Sequence, residues 1–155
     1  GELVMTTLTR EGMPLIRYRT KDLTRVVPGI CPCGRTHRRI ERIAGRTDDM
    51  IILKGVNIYP MQVEKILMDT PEVGENYQIV LERSGYIDHM RVRVEIKDEY
   101  FVEDMRALKG LEQKIARSLR EEILVSPKVE LVEHRSLPRN EGKAERVLDM
   151  RQNEN

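Results

Sequence analysis

Leu108, Leu111, Ile115, Leu119 and Ile123 recur at intervals of three and four residues, with charged side chains filling most of the positions between them. That spacing puts five aliphatic side chains on one stripe of a helix over residues 101–124. Pro127 lacks an amide hydrogen and its ring clashes with the preceding turn, so the helix ends before it. A stripe this long must be buried against another layer, and the flanking sequence supplies one. In "YQIVLERSGYIDHMRVRVEI", Ser84-Gly85 marks a turn, and Val92, Val94 and Ile96 alternate with Arg93 and Glu95 on the opposite face. "KVELVEH" reads as a further strand. Ahead of this hairpin, "MIILKG" (50–55) is a short apolar strand closed by Gly55. Pro60 suits a first helical turn, and Val63, Ile66 and Leu67 form a second apolar stripe. From residue 50 the order is β-α-β-β-α-β. It predicts an α+β unit, a small antiparallel sheet with two helices on one face.

Residues 1–45 do not fit that unit. Leu3–Leu8 and "LIRYRT" read as two strands around the turn "REGMP", and an isolated two-stranded ribbon is marginal in water. The expectation is a remnant of a larger sheet. Gly1 opens inside the first of these strands, which points to a truncated chain. The expected organisation is thus residues 1–45 as the end of a larger domain, 46–50 as a connecting hinge, and 51–155 as a small domain.

Composition excludes several classes. The 27 basic and 26 acidic residues nearly cancel, so there is no electrostatic footprint for nucleic acid. The basic run Arg35, Arg38, Arg39 and Arg42 has no aromatic residues between its members for bases to stack on. No apolar run approaches the ~20 residues that cross a membrane. With no Trp and a single Phe, the core must be aliphatic. Two cysteines one residue apart do not form a disulfide framework, and a disulfide between them would be strained. The expected compartment is the cytoplasm.

Four stretches carry residues suited to chemistry. In "YRTKDL", Asp22 at the mouth of a strand can accept hydrogen bonds from vicinal hydroxyls, or serve as a turn aspartate. In "GRTDDMIILKGVNIYPMQVE", Arg46 can pair with a phosphate or ribose, or simply join a surface ion pair with the acidic residues beside it, and Gly55 can be a turn glycine only. Asp48 and Asp49 sit where the two architectures meet. "CPCGRTH" holds Cys31, Cys33 and His37, which read either as two free thiols in a loop or as half of a zinc knuckle; zinc takes four ligands, so the rest would come from elsewhere. In "LPRNEGKAERV", Pro138, Gly142 and Lys143 describe a polar loop able to present an ammonium group.

Taken jointly, these stretches resemble the C-terminal part of adenylate-forming enzymes, and most of all the phenylacetate-CoA ligases. The resemblance rests on "LIRYRTKDLTR", "CPCGRTH", "GRTDDMIILKGVNIYPMQVE" and "PRNEGKAERV", and covers residues 1–150. Asn57-Ile58-Tyr59-Pro60, where many members of the superfamily carry an arginine, agrees with that branch. The resemblance implies ATP, Mg²⁺ and CoA as cofactors, a small aromatic carboxylate as substrate, and a large N-terminal domain not contained in this sequence. It implies that Asp22 holds the ATP ribose and Arg46 the nucleotide, and that the small domain rotates about Asp48. Gly55 then lines the pantetheine tunnel, and Lys143 meets the carboxylate and α-phosphate during adenylation. It further implies a structural Zn²⁺ on Cys31 and Cys33 in the complete protein. Two other readings are compatible with the residues: a coenzyme F390 synthetase-like adenylyltransferase that uses no CoA, and a free-standing, non-catalytic α+β ligand-binding module.

Overall fold

The computed structural model describes residues 1–100, 105–138 and 146–151. The chain divides into two compact units, Gly1–Met50 and Ile51–Asn155.

In the first unit, β1 (Glu2–Met5) pairs antiparallel with β2 (Tyr18–Leu23), and β2 pairs with β5 (Gly45–Arg46). The ribbon expected from sequence therefore carries a third strand. Between β2 and β5 the chain forms a second ribbon, β3 (Val26–Val27) with β4 (Arg39–Ile40), which brackets the cysteine segment. The β1–β2 register slips: Glu2 faces Leu23, but Val4 faces Arg19. Thr20, Lys21 and Asp22 thus stand opposite Leu3 alone, a bulge with Lys21 at φ 66°. The Thr20 hydroxyl ties the bulge down by donating to the Leu3 carbonyl at 3.0 Å.

The second unit contains the expected two helices. β6 (Ile51–Leu53) turns directly into β7 (Val56–Ile58), a strand the sequence reading did not separate from the following helix. α1 (Pro60–Met68) starts at the anticipated proline, and the Tyr59 amide donates to Gln62 Oε1 at 2.9 Å. β8 (Val73–Ser84) and β9 (Ile87–Ile96) form the long hairpin. α2 (Met105–Ile123) buries Ile115, Leu119 and Ile123. Its last turn closes with the Leu124 amide donating to the Arg120 carbonyl at 3.0 Å, Leu124 itself lying at φ 58°. Pro127 follows, as it must where a helix cannot continue.

The sheet corrects one expectation. Its strand order is β10 (Lys128–Val132), β9, β8, β11 (Val147–Asp149), and only the central pair is antiparallel. β10 runs parallel to β9 and β11 runs parallel to β8. The sheet is mixed because α2 carries the chain back along the sheet before β10 begins, and a crossover of that kind returns a strand in the same direction. Nor does β6 join this sheet; among the described residues it pairs with β7. The core is aliphatic as composition requires. Val63 and Leu67 of α1, Ile115 and Leu119 of α2, Ile79 of β8, and Val92 and Val94 of β9 are all fully buried in one cluster.

Candidate functional site

The β2 bulge decides where Asp22 points. Strand β5 lies beside it, and in that register Asp22 and Arg46 face each other. Arg46 Nη1 stands 3.3 Å from Asp22 Oδ1. The same guanidinium makes a two-pronged contact with Asp48, Nε to Oδ1 at 3.1 Å and Nη2 to Oδ2 at 3.0 Å, and its Nε lies 3.5 Å from Asp49 Oδ2. Lys21, lifted by its left-handed backbone, places Nζ 3.2 Å from Asp48 Oδ2. The Thr47 amide donates to the Lys21 carbonyl at 2.8 Å and closes the arrangement.

Two cations thus share three carboxylates on one partly exposed patch. The Arg46 guanidinium, and after it the Lys21 ammonium, hold the Asp48 carboxyl down at about 2, against an ordinary 3.8. Asp48 in turn raises Arg46, which stays charged throughout. Chemically, the patch offers a carboxylate that can accept from hydroxyls and a planar cation that can meet an anion, already placed side by side. Asp22, Arg46 and Asp48 were all anticipated. Lys21 was not, because nothing in the local sequence announces the bulge that turns it toward Asp48.

Cys31 and Cys33 occupy the tip of the β3–β4 ribbon. The Gly34 amide donates to the Cys31 carbonyl at 2.9 Å, closing a four-residue turn with Pro32 in its second position and Gly34, at φ 79°, in its fourth. Both thiols are free, with their sulfurs 2.9 Å apart. The Cys31 thiol, and then the Arg35 amide, hold the Cys33 thiol below its ordinary range. Among the described residues, no group of three or more His, Cys, Asp or Glu side chains is placed to hold a metal. His37 is exposed and does not complete the cysteine pair into such a group. A tetrahedral metal site built on these two sulfurs would need two further ligands.

Gly55, in the second unit, occupies the second position of the two-residue β6–β7 turn. Lys54 and Gly55 have φ values of 52° and 79°, the pair of left-handed conformations that a tight hairpin turn of this hand needs. A Cβ on Gly55 would meet nothing within 4 Å, so the position is constrained by backbone conformation and open to solvent. Lys143 lies outside the described residues. On either side of it the chain is anchored: the Leu137 amide donates to buried Glu95, and Arg146 stacks over the Tyr77 ring. Among the described residues, no helix is long and apolar enough to cross a membrane.

Residues 55–151 match the family described as AMP-binding enzyme C-terminal domain. The chain belongs to that family. It is 46% identical over 164 residues to the phenylacetate-coenzyme A ligase of Thermus thermophilus, an alignment that takes in 97% of this chain and 37% of the relative. The chain therefore spans little more than a third of that relative's length. Among solved structures, a domain of phenylacetate-coenzyme A ligase from Bacteroides vulgatus is 47% identical, with a TM-score of 0.63 over 68% of this chain and 95% of that one. A 2-hydroxyisobutyryl-CoA ligase, in its postadenylation state with R3-HIB-AMP, is 34% identical, with a TM-score of 0.85 over 99% of this chain and 32% of that one. The small α+β unit is thus the C-terminal domain of an adenylate-forming ligase fold.

Proposed function

We propose that this chain is the C-terminal portion of an ATP-dependent aryl-acid:CoA ligase of the phenylacetate type. The complete protein would join a small aromatic carboxylate to ATP, giving acyl-adenylate and pyrophosphate. CoA thiol would then displace AMP. In this reading a large N-terminal domain, lying in the remaining length of the relatives, supplies the phosphate cradle and the acid pocket. The observation that carries the reading is the Asp22–Arg46 pairing: a carboxylate for ribose hydroxyls beside a cation for the nucleotide, set on adjacent strands. The names of the relatives favour CoA as the acceptor over an adenylyltransferase without CoA, and over a free-standing module.

Asp48 is the hinge in this proposal, at the boundary of the two units. Gly55 lines the path of the pantetheine arm. Lys143 meets the carboxylate and α-phosphate: two anions are brought together as charge builds on phosphorus, and a placed cation is worth about 10²–10³ in rate. Mg²⁺ enters with ATP, since Asp22, Asp48 and Asp49 are taken up by Arg46 and Lys21. Zinc, if held at Cys31 and Cys33, takes its other ligands from the large domain. The reaction is placed in the cytoplasm, where ATP and CoA are found.

The test separates the half-reactions in the complete protein. Lys143→Ala should slow ATP–pyrophosphate exchange by about 10²–10³ and leave thioester formation from supplied acyl-adenylate nearly intact. Equal losses in both would make the lysine structural. The 155-residue chain alone should show no exchange.

A further inference from the structure

The β6–β7 hairpin that carries Gly55 stands outside the four-stranded sheet. Its turn has two residues. In such a turn the closing pair, Leu53 and Val56, faces inward with its backbone groups, and the next pair, Ile52 and Asn57, turns them outward. The Ile52 carbonyl therefore points away from β7 and is open to another partner. It finds one ninety-nine residues further on, where Arg151 Nη1 donates to it at 2.9 Å.

Arg151 is itself firmly placed. The Met150 amide donates to the Leu81 carbonyl at 2.8 Å and carries the β8–β11 pairing one residue past Asp149. The Arg151 amide then turns back onto Asp149 Oδ1 at 3.1 Å. The guanidinium reaches three different groups. Nε donates to Asp149 Oδ1 at 2.8 Å, with Nη2 on Oδ2, while Nη1 is shared between the Ile52 carbonyl and Asp88 Oδ2 at 3.2 Å. Asp88, in β9, is held from its other side by Arg83 Nε at 2.7 Å. Only 18% of the Arg151 side chain is exposed, so its charge relies on these partners more than on water. A planar fork can serve all three in fixed directions, whereas an ammonium cannot.

The hairpin has two kinds of anchor. Leu53 and Ile58 are fully buried and fix its inner side by packing, which is non-directional. The bond from Arg151 fixes the outer edge of β6, and it is directional. Gly55 lies three residues beyond Ile52, and a Cβ there would meet nothing within 4 Å, so the turn is placed by its strands rather than by contacts of its own.

We propose that Arg151 is a positioning residue for thioester formation: it fastens the β6–β7 hairpin to the edge strand β11 and so sets where Gly55 stands. The inference rests on the role given to Gly55 above. It goes beyond that role in naming what holds the turn in place.

The experiment uses the complete protein, both half-reactions and amide hydrogen exchange. In Arg151→Gln the amides of residues 53–57 should exchange about tenfold faster or more, while those of Ile79 and Val92 in the central hairpin stay within about twofold. Thioester formation from supplied acyl-adenylate should slow about tenfold, since small misplacements near reacting groups cost on that scale, and pyrophosphate exchange should stay within about twofold. Arg151→Lys keeps the charge but can serve fewer acceptors, so it should lose about three- to fivefold in thioester formation alone. It carries the test if Arg151→Gln does not fold. Full activity in Arg151→Lys would show that charge and not the fork matters, and would overturn the inference. Faster exchange throughout the small domain with equal losses in both half-reactions would also overturn it, by making Arg151 a general stability residue. Slow thioester formation in Gly55→Asn beside wild-type behaviour in Arg151→Gln would overturn it and leave the role of Gly55 standing. A wild-type rate in Gly55→Asn would remove both.

Discussion

Asp22 and Arg46 are partners across the β2–β5 register, and Arg46 Nη1 stands 3.3 Å from Asp22 Oδ1. Twenty-four residues separate them in sequence, yet backbone pairing and an ion pair bring them together. Strand geometry, rather than a flexible side chain alone, sets the spacing between this carboxylate and this cation.

The first prediction follows from that pairing. In the complete protein, Asp22→Asn should raise the KM for ATP by roughly ten- to a hundredfold, the worth of about 1.5–3 kcal/mol for hydrogen bonds to a charged acceptor. Asp49→Asn, at the longer and more exposed contact, should change it by less than about twofold. Steady-state kinetics with ATP varied would decide, and comparable effects for the two would argue against a special role for Asp22.

The Asp48 carboxyl, held at about 2 against an ordinary 3.8, makes stability depend on pH in a defined window. Its folded pKa is depressed, so its contribution is fully present above about pH 4 and is lost as pH falls toward 2. The stability gap between the wild type and Asp48→Asn should be flat above pH 4, close between pH 4 and 2, and shrink with added salt, because the group is solvent-accessible. Denaturant midpoints at stepped pH measure it. A gap that instead opened on acidification would contradict the arrangement around Arg46.

Gly55 allows strain and side-chain volume to be told apart. Gly55→Ala should destabilise the second unit by roughly 1–2 kcal/mol although its Cβ meets no atom, because φ of 79° is left-handed. Gly55→Asn should cost less, since asparagine tolerates that region. If Gly55 lines the thiol path, both substitutions should slow thioester formation and spare pyrophosphate exchange, with the larger asparagine the slower. An effect that followed stability instead of size would make Gly55 a turn residue only.

The cysteine turn offers two sulfurs and no complete donor set among the described residues. Zinc should therefore be substoichiometric in the 155-residue chain after dialysis and close to stoichiometric in the complete protein, falling in both Cys31→Ser and Cys33→Ser. Metal analysis of the four samples is sufficient. One zinc per isolated chain would assign the missing ligands to this chain, with His37 the first to replace.

How much of this was legible in the sequence depends on the range of the physics involved. The helices α1 and α2 were legible because Val63, Leu67, Ile115 and Leu119 repeat at the helical period, and periodicity is a local property. The β8–β9 hairpin was legible from alternation and the Ser84-Gly85 turn. The residue types at Asp22, Arg46 and Asp48 marked them as candidates, and four short motifs in order named the family. Strand direction was not legible: β10 became the parallel neighbour of β9 only once the α2 crossover returned the chain, and β11 came to lie parallel to β8 on the other side of the sheet. The bulge at Lys21 was hidden because register is settled between two strands and written in neither. Glu95 is the clearest case. Its alternation with Val94 and Ile96 assigned it to the outer face of the sheet, and that assignment holds; yet it is fully buried, and its carboxylate accepts from the amide of Leu137, forty-two residues away. The period of a strand decides which way a side chain points, but only the returning chain decides whether water waits there.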